Sequence, residues 1–223
     1  MGNIRALTAE FLGTFALVFV GAGALVTDAM RPGQVGLLGN ALANAMVLSV
    51  MVTALIRISG AHFNPAVTVG LWLANKVDGK TAGAYVGTQL VAASVAAILL
   101  MLIFPQAAAQ AASLGTPRIA GELDLISAIL IEAILTFFLV SAVFGTAVSP
   151  EAPAVGGFGI GVVLLFAIIV AGPLTGGILN PARAFGPALV SQQWTGHAAY
   201  WIGPLLGGSV AALIWAKVLL PRQ

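Results

Sequence analysis

The sequence contains no cysteine, which excludes disulfide bonds, thiolate metal sites and cysteine nucleophiles. Charge is also scarce, because only 7% of the 223 residues are charged, against about a quarter in soluble globular domains. The formal net charge is only +2, and no basic cluster could follow a phosphate backbone, so a nucleic-acid partner is not expected. The whole chain is 60% hydrophobic with a mean hydropathy of +1.05, which indicates a protein that crosses a membrane several times.

Catalytic and metal-binding groups are equally sparse. The two histidines, His62 and His197, lie far apart in the sequence, and neither belongs to a cluster of metal ligands. There is no Ser-His-Asp grouping, no glycine-rich phosphate loop and no carboxylate pair with catalytic spacing. We therefore predict no enzyme activity, no metal and no cofactor.

Uncharged apolar stretches predict six membrane-spanning helices, since about 20 apolar residues cross a bilayer. The predicted spans are residues 6–27, 37–57, 82–104, 125–147, 156–173 and 198–219. The predicted fold class is therefore an all-α membrane protein, with a single domain over residues 1–223. Within it we expect a first repeat over 1–104, a linker at the surface over 105–124 and a second repeat over 125–223.

The tripeptide Asn-Pro-Ala occurs once in each half of the chain, within SGAHFNPAVT and within GPLTGGILNPARAFGPAL. The residues that we assign to the centre of a pore are Asn64, Pro65, Ala66, Asn180, Pro181 and Ala182. Asn is a favoured N-cap and Pro is favoured at the first helical position, so each copy predicts a helix start. The helices predicted at 64–75 and 180–191 would each span about 16 Å, roughly half of the hydrocarbon core. They are half-helices that enter the membrane without crossing it.

Each half of the chain has three spans and one half-helix, which predicts an inverted repeat. The segments AEFLGTF and IEAILTF support this, because their glutamates, Glu10 and Glu132, occupy matching positions. Carboxylates inside a span are costly and are candidates for function. We interpret both as acceptors for backbone N–H groups of the two broken loops. A proton relay in a coupled transporter is the alternative.

Broken backbone at membrane depth is tolerated only where it is buried in protein or lines a wet cavity, so we predict that the two loops line a pore. We assign His62, in the first of these loops, to the rim of this pore. Each helix N-terminus carries about half a positive charge, which would repel cations and protons while neutral molecules pass. Arg183 directly follows the second motif, where the first repeat has Val67. No acidic residue lies near Arg183 in the sequence, so we favour a pore role over a salt bridge.

Basic residues in short loops predict the orientation. One side of the membrane would carry Arg5, Arg57, Lys76, Lys80, Lys217 and Arg222, and the other only Arg31 and Arg118. The first side is therefore predicted to be cytoplasmic, with both termini there. Three glycine pairs with small-xxx-small spacing are predicted to let helices approach closely: Gly83 and Gly87, Gly157 and Gly161, and Gly203 and Gly207.

These motifs resemble those of the major intrinsic protein family, the aquaporins and aquaglyceroporins, and the similarity covers nearly the whole chain. The resemblance implies a homotetramer with one pore in each subunit, in which Asn64 and Asn180 donate hydrogen bonds to the permeating molecule. It also implies a second, outer constriction formed by Asn44, Ile168, Gly177 and Arg183.

The outer constriction is similar to neither of the better-known branches of the family. Water-selective members typically have an aromatic residue at the position of Asn44 and a histidine at that of Ile168, and glycerol facilitators have aromatics at the positions of Asn44 and Gly177. Small residues here predict a wider mouth, similar to that of nodulin-like intrinsic proteins and their bacterial relatives, which pass metalloid hydroxides. Other positions resemble the water-channel branch: Ala184, Ala188, Tyr200 and Trp201. We also interpret Tyr200 and Trp201 as interfacial anchors.

The function predicted from the sequence is a passive channel for water and small uncharged solutes that excludes protons and ions. Glycerol and metalloid hydroxides such as arsenous acid are the candidate larger solutes, and the expected location is the plasma membrane of a bacterium. The alternatives are a strictly water-selective pore and a proton-coupled secondary transporter built on the same repeat.

Overall fold

The computed structural model describes residues 3–221, and these residues form nine α-helices and no strand. The helices are α1 (Ile4–Met30), α2 (Gly36–Ser59), α3 (Pro65–Leu73), α4 (Gly79–Ile103), α5 (Gln106–Ala111), α6 (Leu125–Val143), α7 (Phe158–Ala171), α8 (Pro181–Ser191) and α9 (Ala199–Ile214). Short π-helical segments continue two of them, Phe144–Val148 after α6 and Trp215–Leu219 after α9.

Six of these helices correspond to the predicted spans. Five of them are long and apolar enough to cross a membrane: α1, α2, α4 and, together with their π-helical continuations, α6 and α9. The fifth predicted span, 156–173, is shorter than predicted, because α7 has 14 residues and measures about 21 Å. Gly156 has a φ of 57° before α7, and Pro173 follows the last turn, so the chain does not continue the helix at either end.

The two half-helices α3 and α8 have nine and eleven residues, which is too short to cross the bilayer. Each begins directly after its Asn-Pro-Ala asparagine, which is the N-cap. Helix α8 covers the predicted residues, whereas α3 ends at Leu73, before the predicted end at residue 75. The reason is that Asn75 adopts a left-handed conformation with a φ of 56°, which is incompatible with another helical turn.

The two repeats interlock. Helix α1 packs against α2 and α4, and α6 correspondingly packs against α7 and α9. Each half-helix also packs against the last span of the other repeat, α3 against α9 and α8 against α4. These exchanged contacts hold the two halves together.

Two of the three predicted glycine pairs are at close helix contacts. A Cβ atom at Gly161 would lie 2.4 Å from the Ala45 carbonyl oxygen, and one at Gly207 would lie 1.9 Å from the Ala133 carbonyl oxygen, which shows how closely α7 and α9 approach their neighbours. Gly83 and Gly87 make no such contact within the one described chain. Both are exposed on α4, and a Cβ at either would meet nothing within 4 Å.

The predicted surface linker, 105–124, is only partly at the surface. It contains α5 and a 3-10 turn, Ser113–Gly115, whose three residues are buried. Three consecutive left-handed residues turn the chain inward there, with φ angles of 46° at Ser113, 54° at Leu114 and 71° at Gly115. A Cβ at Gly115 would lie 2.8 Å from the Ala22 Cα atom, so only glycine lets this turn reach α1.

The basic residues of the predicted cytoplasmic side lie at one end of the alternating helices, except that Arg222 is outside the described residues. Two exposed aspartates cap helices at the membrane surface, Asp78 before α4 and Asp124 before α6. Hydrogen bonds from Thr81 hold the pKa of Asp78 below its usual value. Hydrogen bonds from the backbone and side chain of Ser127 do the same for the pKa of Asp124.

Candidate functional site

A cavity of about 510 Å³ runs between the two repeats. It is lined by both Asn-Pro-Ala asparagines, by the loops that precede them and by side chains of α1, α2, α6 and α7. The predicted residues that line it are Asn44, His62, Asn64, Ile168, Gly177, Asn180 and Arg183. One conduit therefore contains both the predicted pore centre and the predicted outer constriction.

The two Asn-Pro-Ala loops meet through a reciprocal pair of hydrogen bonds. Asn64 Nδ2 donates to the Leu179 carbonyl at 2.8 Å, and Asn180 Nδ2 donates to the Phe63 carbonyl at 2.9 Å. The Oδ1 atoms cap the half-helices, since Asn64 accepts from Ala66 N and Asn180 from the next two backbone N–H groups. An amide group has two N–H donors. One N–H of each asparagine therefore remains for a molecule in the cavity.

The other members of the motif do not line this cavity within the described chain. Pro65, Ala66, Pro181 and Ala182 are buried against neighbouring helices, and both alanines have 0% exposure. Of the six motif residues assigned to the pore centre, the two asparagines therefore line the cavity, and these four form the helix starts behind them. Their positions are the first helical turn, where Pro fits because its missing N–H has no helical partner to lose.

Both loops follow the same strained path. The residue before each asparagine is left-handed, with φ of 51° at Phe63 and 57° at Leu179. The residue three places before each asparagine is left-handed as well, Ala61 at 51° and Gly177 at 61°. Left-handed backbone costs about 1–3 kcal/mol per non-glycine residue and persists only where the surroundings enforce it. Here it places the carbonyls that receive the opposite asparagine.

Glu10 enforces this path in the first loop. Its carboxylate, with 0% exposure, accepts from His62 N at 2.9 Å and from Phe63 N at 2.8 Å. It also accepts from Ser59 Oγ and from Gln89 Nε2. An ionised carboxylate can accept about four hydrogen bonds, so its acceptor sites are filled.

Glu132, on α6, has the equivalent position beside the second loop and is also fully buried. It accepts from Ile178 N at 3.0 Å, from Leu179 N at 2.7 Å and from Thr175 Oγ1 at 2.7 Å. Two loop N–H groups and one hydroxyl therefore bind each glutamate in both repeats. Neither glutamate is among the described residues that line the cavity.

A tyrosine fixes the start of each loop. Tyr85 Oη donates to the Ser59 carbonyl at 2.9 Å, and Tyr200 Oη donates to the Thr175 carbonyl at 2.8 Å. Tyr200 has 0% exposure, so the prediction that it is an interfacial anchor is wrong. A buried tyrosine hydroxyl needs a hydrogen-bond partner, and this carbonyl provides it. Trp201 is partly exposed, and its Nε1 donates to His197 Nε2.

The predicted outer constriction lies in the wall of the same cavity. Gly177 packs on α7, where an added Cβ would lie 2.7 Å from the Ala167 carbonyl oxygen and 3.1 Å from Ile168 Cα. Ile168 contributes an apolar side chain from α7, and Asn44 a polar one from α2. A solute at this level therefore meets both polar and apolar walls.

Arg183 is held by the linker. Its Nη1 donates to the Gly115 carbonyl at 2.9 Å, and its backbone N–H donates to Asn180 Oδ1. Arg183 is 4% exposed, and the group that accepts from its guanidinium is a neutral carbonyl. Within residues 3–221 no carboxylate lies in a salt bridge with it. The positive charge is therefore directed at the cavity without a neutralising partner.

His62, predicted at the pore rim, lines the cavity with 8% exposure. Its Nδ1 lies 3.1 Å from Thr68 Oγ1, and its ring meets the edge of the Tyr85 ring at a centroid distance of 5.0 Å. These contacts hold the ring against the wall.

Sequence reasoning missed six residues that position the site: Ser59, Tyr85, Gln89, Gly115, Thr175 and Tyr200. Alignment of the repeats on their asparagines would have found Ser59 and Thr175, because each lies five positions before its asparagine. Nothing in the sequence indicated Gly115, since its role depends on the linker turning inward.

Comparisons with known proteins agree with this architecture. A family model described as Major intrinsic protein matches residues 1–215. Aquaporin TIP4-4 of Zea mays is 39% identical over 231 residues, which cover 99% of this chain and 89% of that protein. Aquaporin TIP4-1 of Arabidopsis thaliana is 42% identical over 226 residues, which cover 98% of this chain and 88% of that protein.

A solved structure is also similar over nearly the whole chain. The aquaglyceroporin from Plasmodium falciparum superposes with a TM-score of 0.82 at 25% sequence identity, covering 97% of this chain and 96% of that chain. The similarity includes both repeats and the linker.

Proposed function

Because this chain belongs to the major intrinsic protein family and is a channel for water and small solutes, we propose that it conducts small uncharged solutes passively through the cavity between its two repeats. The observation that supports this most directly is the reciprocal pairing of Asn64 and Asn180. It presents two amide donors to one narrow conduit. Neutral molecules with an oxygen acceptor can exchange hydrogen bonds with water for hydrogen bonds with these amides.

The same geometry opposes the passage of ions. Two half-helix N-termini meet beside the cavity, and each contributes a partial charge of about +0.5. Arg183 adds a full positive charge nearer the outer mouth. A cation that entered would lose much of its hydration shell and meet a positive potential, and an anion would still have to lose hydration beside apolar walls.

Strict selectivity for water is not favoured. Gly177 has no side chain to narrow the mouth, and a solved structure that is similar over almost the whole chain is named an aquaglyceroporin. We propose that solutes larger than water pass, with glycerol and undissociated arsenous acid as the first candidates. Both are neutral and carry several hydroxyl groups that can use the donors of Asn64, Asn180 and Arg183.

A proton-coupled transporter would need a carboxylate that exchanges protons with the pathway. Glu10 instead accepts four hydrogen bonds and Glu132 accepts three, and neither is among the described residues that line the cavity. Their hydrogen bonds support a structural role. A channel therefore explains their placement better than a proton relay does.

The assembly and the membrane are also proposed. The family resemblance supports a homotetramer with a pore in each subunit, which the native mass of the detergent-purified protein would measure. The distribution of basic residues supports cytoplasmic termini. The plasma membrane of a bacterium is our proposed location, which fractionation of the source cells would test.

Stopped-flow light scattering on proteoliposomes tests the function. We expect water, glycerol and arsenous acid to equilibrate faster than in protein-free liposomes. If only water moved faster, the proposed passage of larger solutes would be wrong. A second arm imposes a pH gradient: accumulation of a solute above its equilibrium concentration would contradict a passive channel.

A further inference from the structure

The outer mouth contains a contact between α1 and α2 that neither the motifs nor the family resemblance indicates. On α1, the side chains of Leu17 and Leu25 line the cavity, and Gly21 lies between them on the same helix face, one turn from each. Gly21 therefore leaves a notch in the wall of the conduit at the level of Asn44.

The Asn44 side chain occupies this notch. A Cβ atom at Gly21 would lie 2.1 Å from Asn44 Oδ1, 2.9 Å from its Cγ and 3.2 Å from its Nδ2. Non-bonded carbon and oxygen atoms need more than about 3 Å, so the amide fits only because residue 21 has no side chain.

Asn40 holds the amide in this position from the other side. Asn44 Nδ2 donates to the Asn40 carbonyl at 2.8 Å and lies 3.1 Å from Asn40 Oδ1. A backbone carbonyl only accepts, so this pairing fixes the nitrogen toward Asn40 and the oxygen toward Gly21. Asn40 also lines the cavity, one turn nearer the outside.

We infer that Gly21 and Asn40 are positioning residues that keep the Asn44 amide folded back against α1, and that this retracted amide sets the width of the outer mouth. The inference rests on the proposed function, because it explains how a mouth with a polar residue at position 44 stays open to solutes larger than water. Without the notch, the amide would have to move by about 1 Å or more. Because the cavity is the open space beside it, the amide would move into the cavity and narrow the mouth.

The test is Gly21→Ala in proteoliposomes, with water and glycerol permeability measured on the same preparation. We expect glycerol permeability to fall about tenfold relative to water permeability, which corresponds to about 1.4 kcal/mol in the barrier. The double variant Gly21→Ala/Asn44→Ala removes the displaced amide, so it should restore the wild-type ratio or exceed it. An unchanged ratio in Gly21→Ala, or no restoration in the double variant, would overturn the inference.

Gly23→Ala is the matched control. It places the same methyl group on the same helix, but its Cβ would lie 3.3 Å from the flexible Leu100 Cδ2, away from the conduit. We expect wild-type permeability to both solutes. An equal change of the ratio in Gly23→Ala would show that any added methyl group in α1 has this effect, and would overturn the inference.

A second variant tests the same contact from the side of α2. Asn44→Gln should narrow the mouth without altering α1, because the longer amide does not fit the notch, and it therefore replaces Gly21→Ala if that variant fails to fold. If wild-type protein passes no glycerol, the proposed function is wrong in that respect. The inference is then decided on water permeability alone. Gly21→Ala should lower it, and the double variant should restore it.

Discussion

The two broken loops of this protein share a framework but differ in what surrounds it. In both, a buried glutamate accepts from two successive loop N–H groups, a Ser or Thr hydroxyl joins it, and a tyrosine holds the loop carbonyl. The differences lie at two places. The first loop has Gln89 beside its glutamate, and the second has Arg183 where the first has Val67. The shared contacts hold the loops, and the unshared Arg183 places a positive charge in the cavity wall on one side only.

The largest expected effect comes from removing a glutamate. Glu132→Ala leaves the Ile178 and Leu179 N–H groups buried without acceptors, at about 1–3 kcal/mol each. Glu10→Ala should lower the free energy of unfolding by less. Gln89 has a buried Oε1 without a partner among the described residues, and it can turn this acceptor toward the loop. In the second repeat Pro204 has the position that matches Gln89, four residues after the tyrosine. A proline side chain has no acceptor that could replace the glutamate carboxylate.

Thermal unfolding in detergent measures the difference in stability between Glu132→Ala and Glu10→Ala, with the yield of folded protein as a second readout. The double variant Glu10→Ala/Gln89→Leu is the control, since it should lose the advantage that Gln89 provides. If Glu10→Ala proved as damaging as Glu132→Ala, the two supports would be equivalent and Gln89 would have no compensating role.

The second largest effect should come from Arg183, which the second loop has and the first loop lacks. Arg183→Val makes the second loop match the first at this position and removes the full positive charge from the outer mouth. Two unit charges about 4 Å apart interact by about 4 kcal/mol at an effective dielectric constant of 20, so we expect cation or proton leak to rise by at least about tenfold.

A pH-sensitive dye inside proteoliposomes measures proton entry, and water permeability is followed in parallel. Arg183→Lys retains the charge and is the matched control, so it should keep the leak low. A proton leak that stays at the wild-type level in Arg183→Val would exclude Arg183 from the barrier and leave ion exclusion to the helix termini.

The smallest effect should come from the tyrosines. Tyr85→Phe and Tyr200→Phe each remove one hydrogen bond to a loop carbonyl, which is worth about 0.5–1.5 kcal/mol. Because the two contacts are equivalent, we expect similar small losses of thermal stability and unchanged solute selectivity. A change of selectivity in only one variant would show that the tyrosines have different roles.

Much of the architecture could be predicted from local patterns. Apolar stretches gave the spans, and the capping preference of Asn followed by Pro gave the starts of both half-helices. The ends were less accurate, because the short α7 and the early end of α3 depend on glycine and left-handed residues that hydropathy does not report.

The site was predicted less completely than the fold. Glu10, Glu132 and the two asparagines were recognisable because each occurs twice at matching positions. Gly115 and Gly21 were not, since each matters only through a side chain that is distant in the sequence, Arg183 for the first and Asn44 for the second. Tyr200 was assigned to the membrane surface because its position near a helix start is typical of an anchor.

By itself, the sequence determined that this protein is a membrane-spanning inverted repeat with two helix starts inside the bilayer, because hydrophobicity and helix capping act over a few neighbouring residues. Only the tertiary structure decided which carbonyl anchors Arg183 and where the Asn44 amide lies. Those contacts join segments from different helices, and their geometry follows from how closely the helices pack rather than from any local preference.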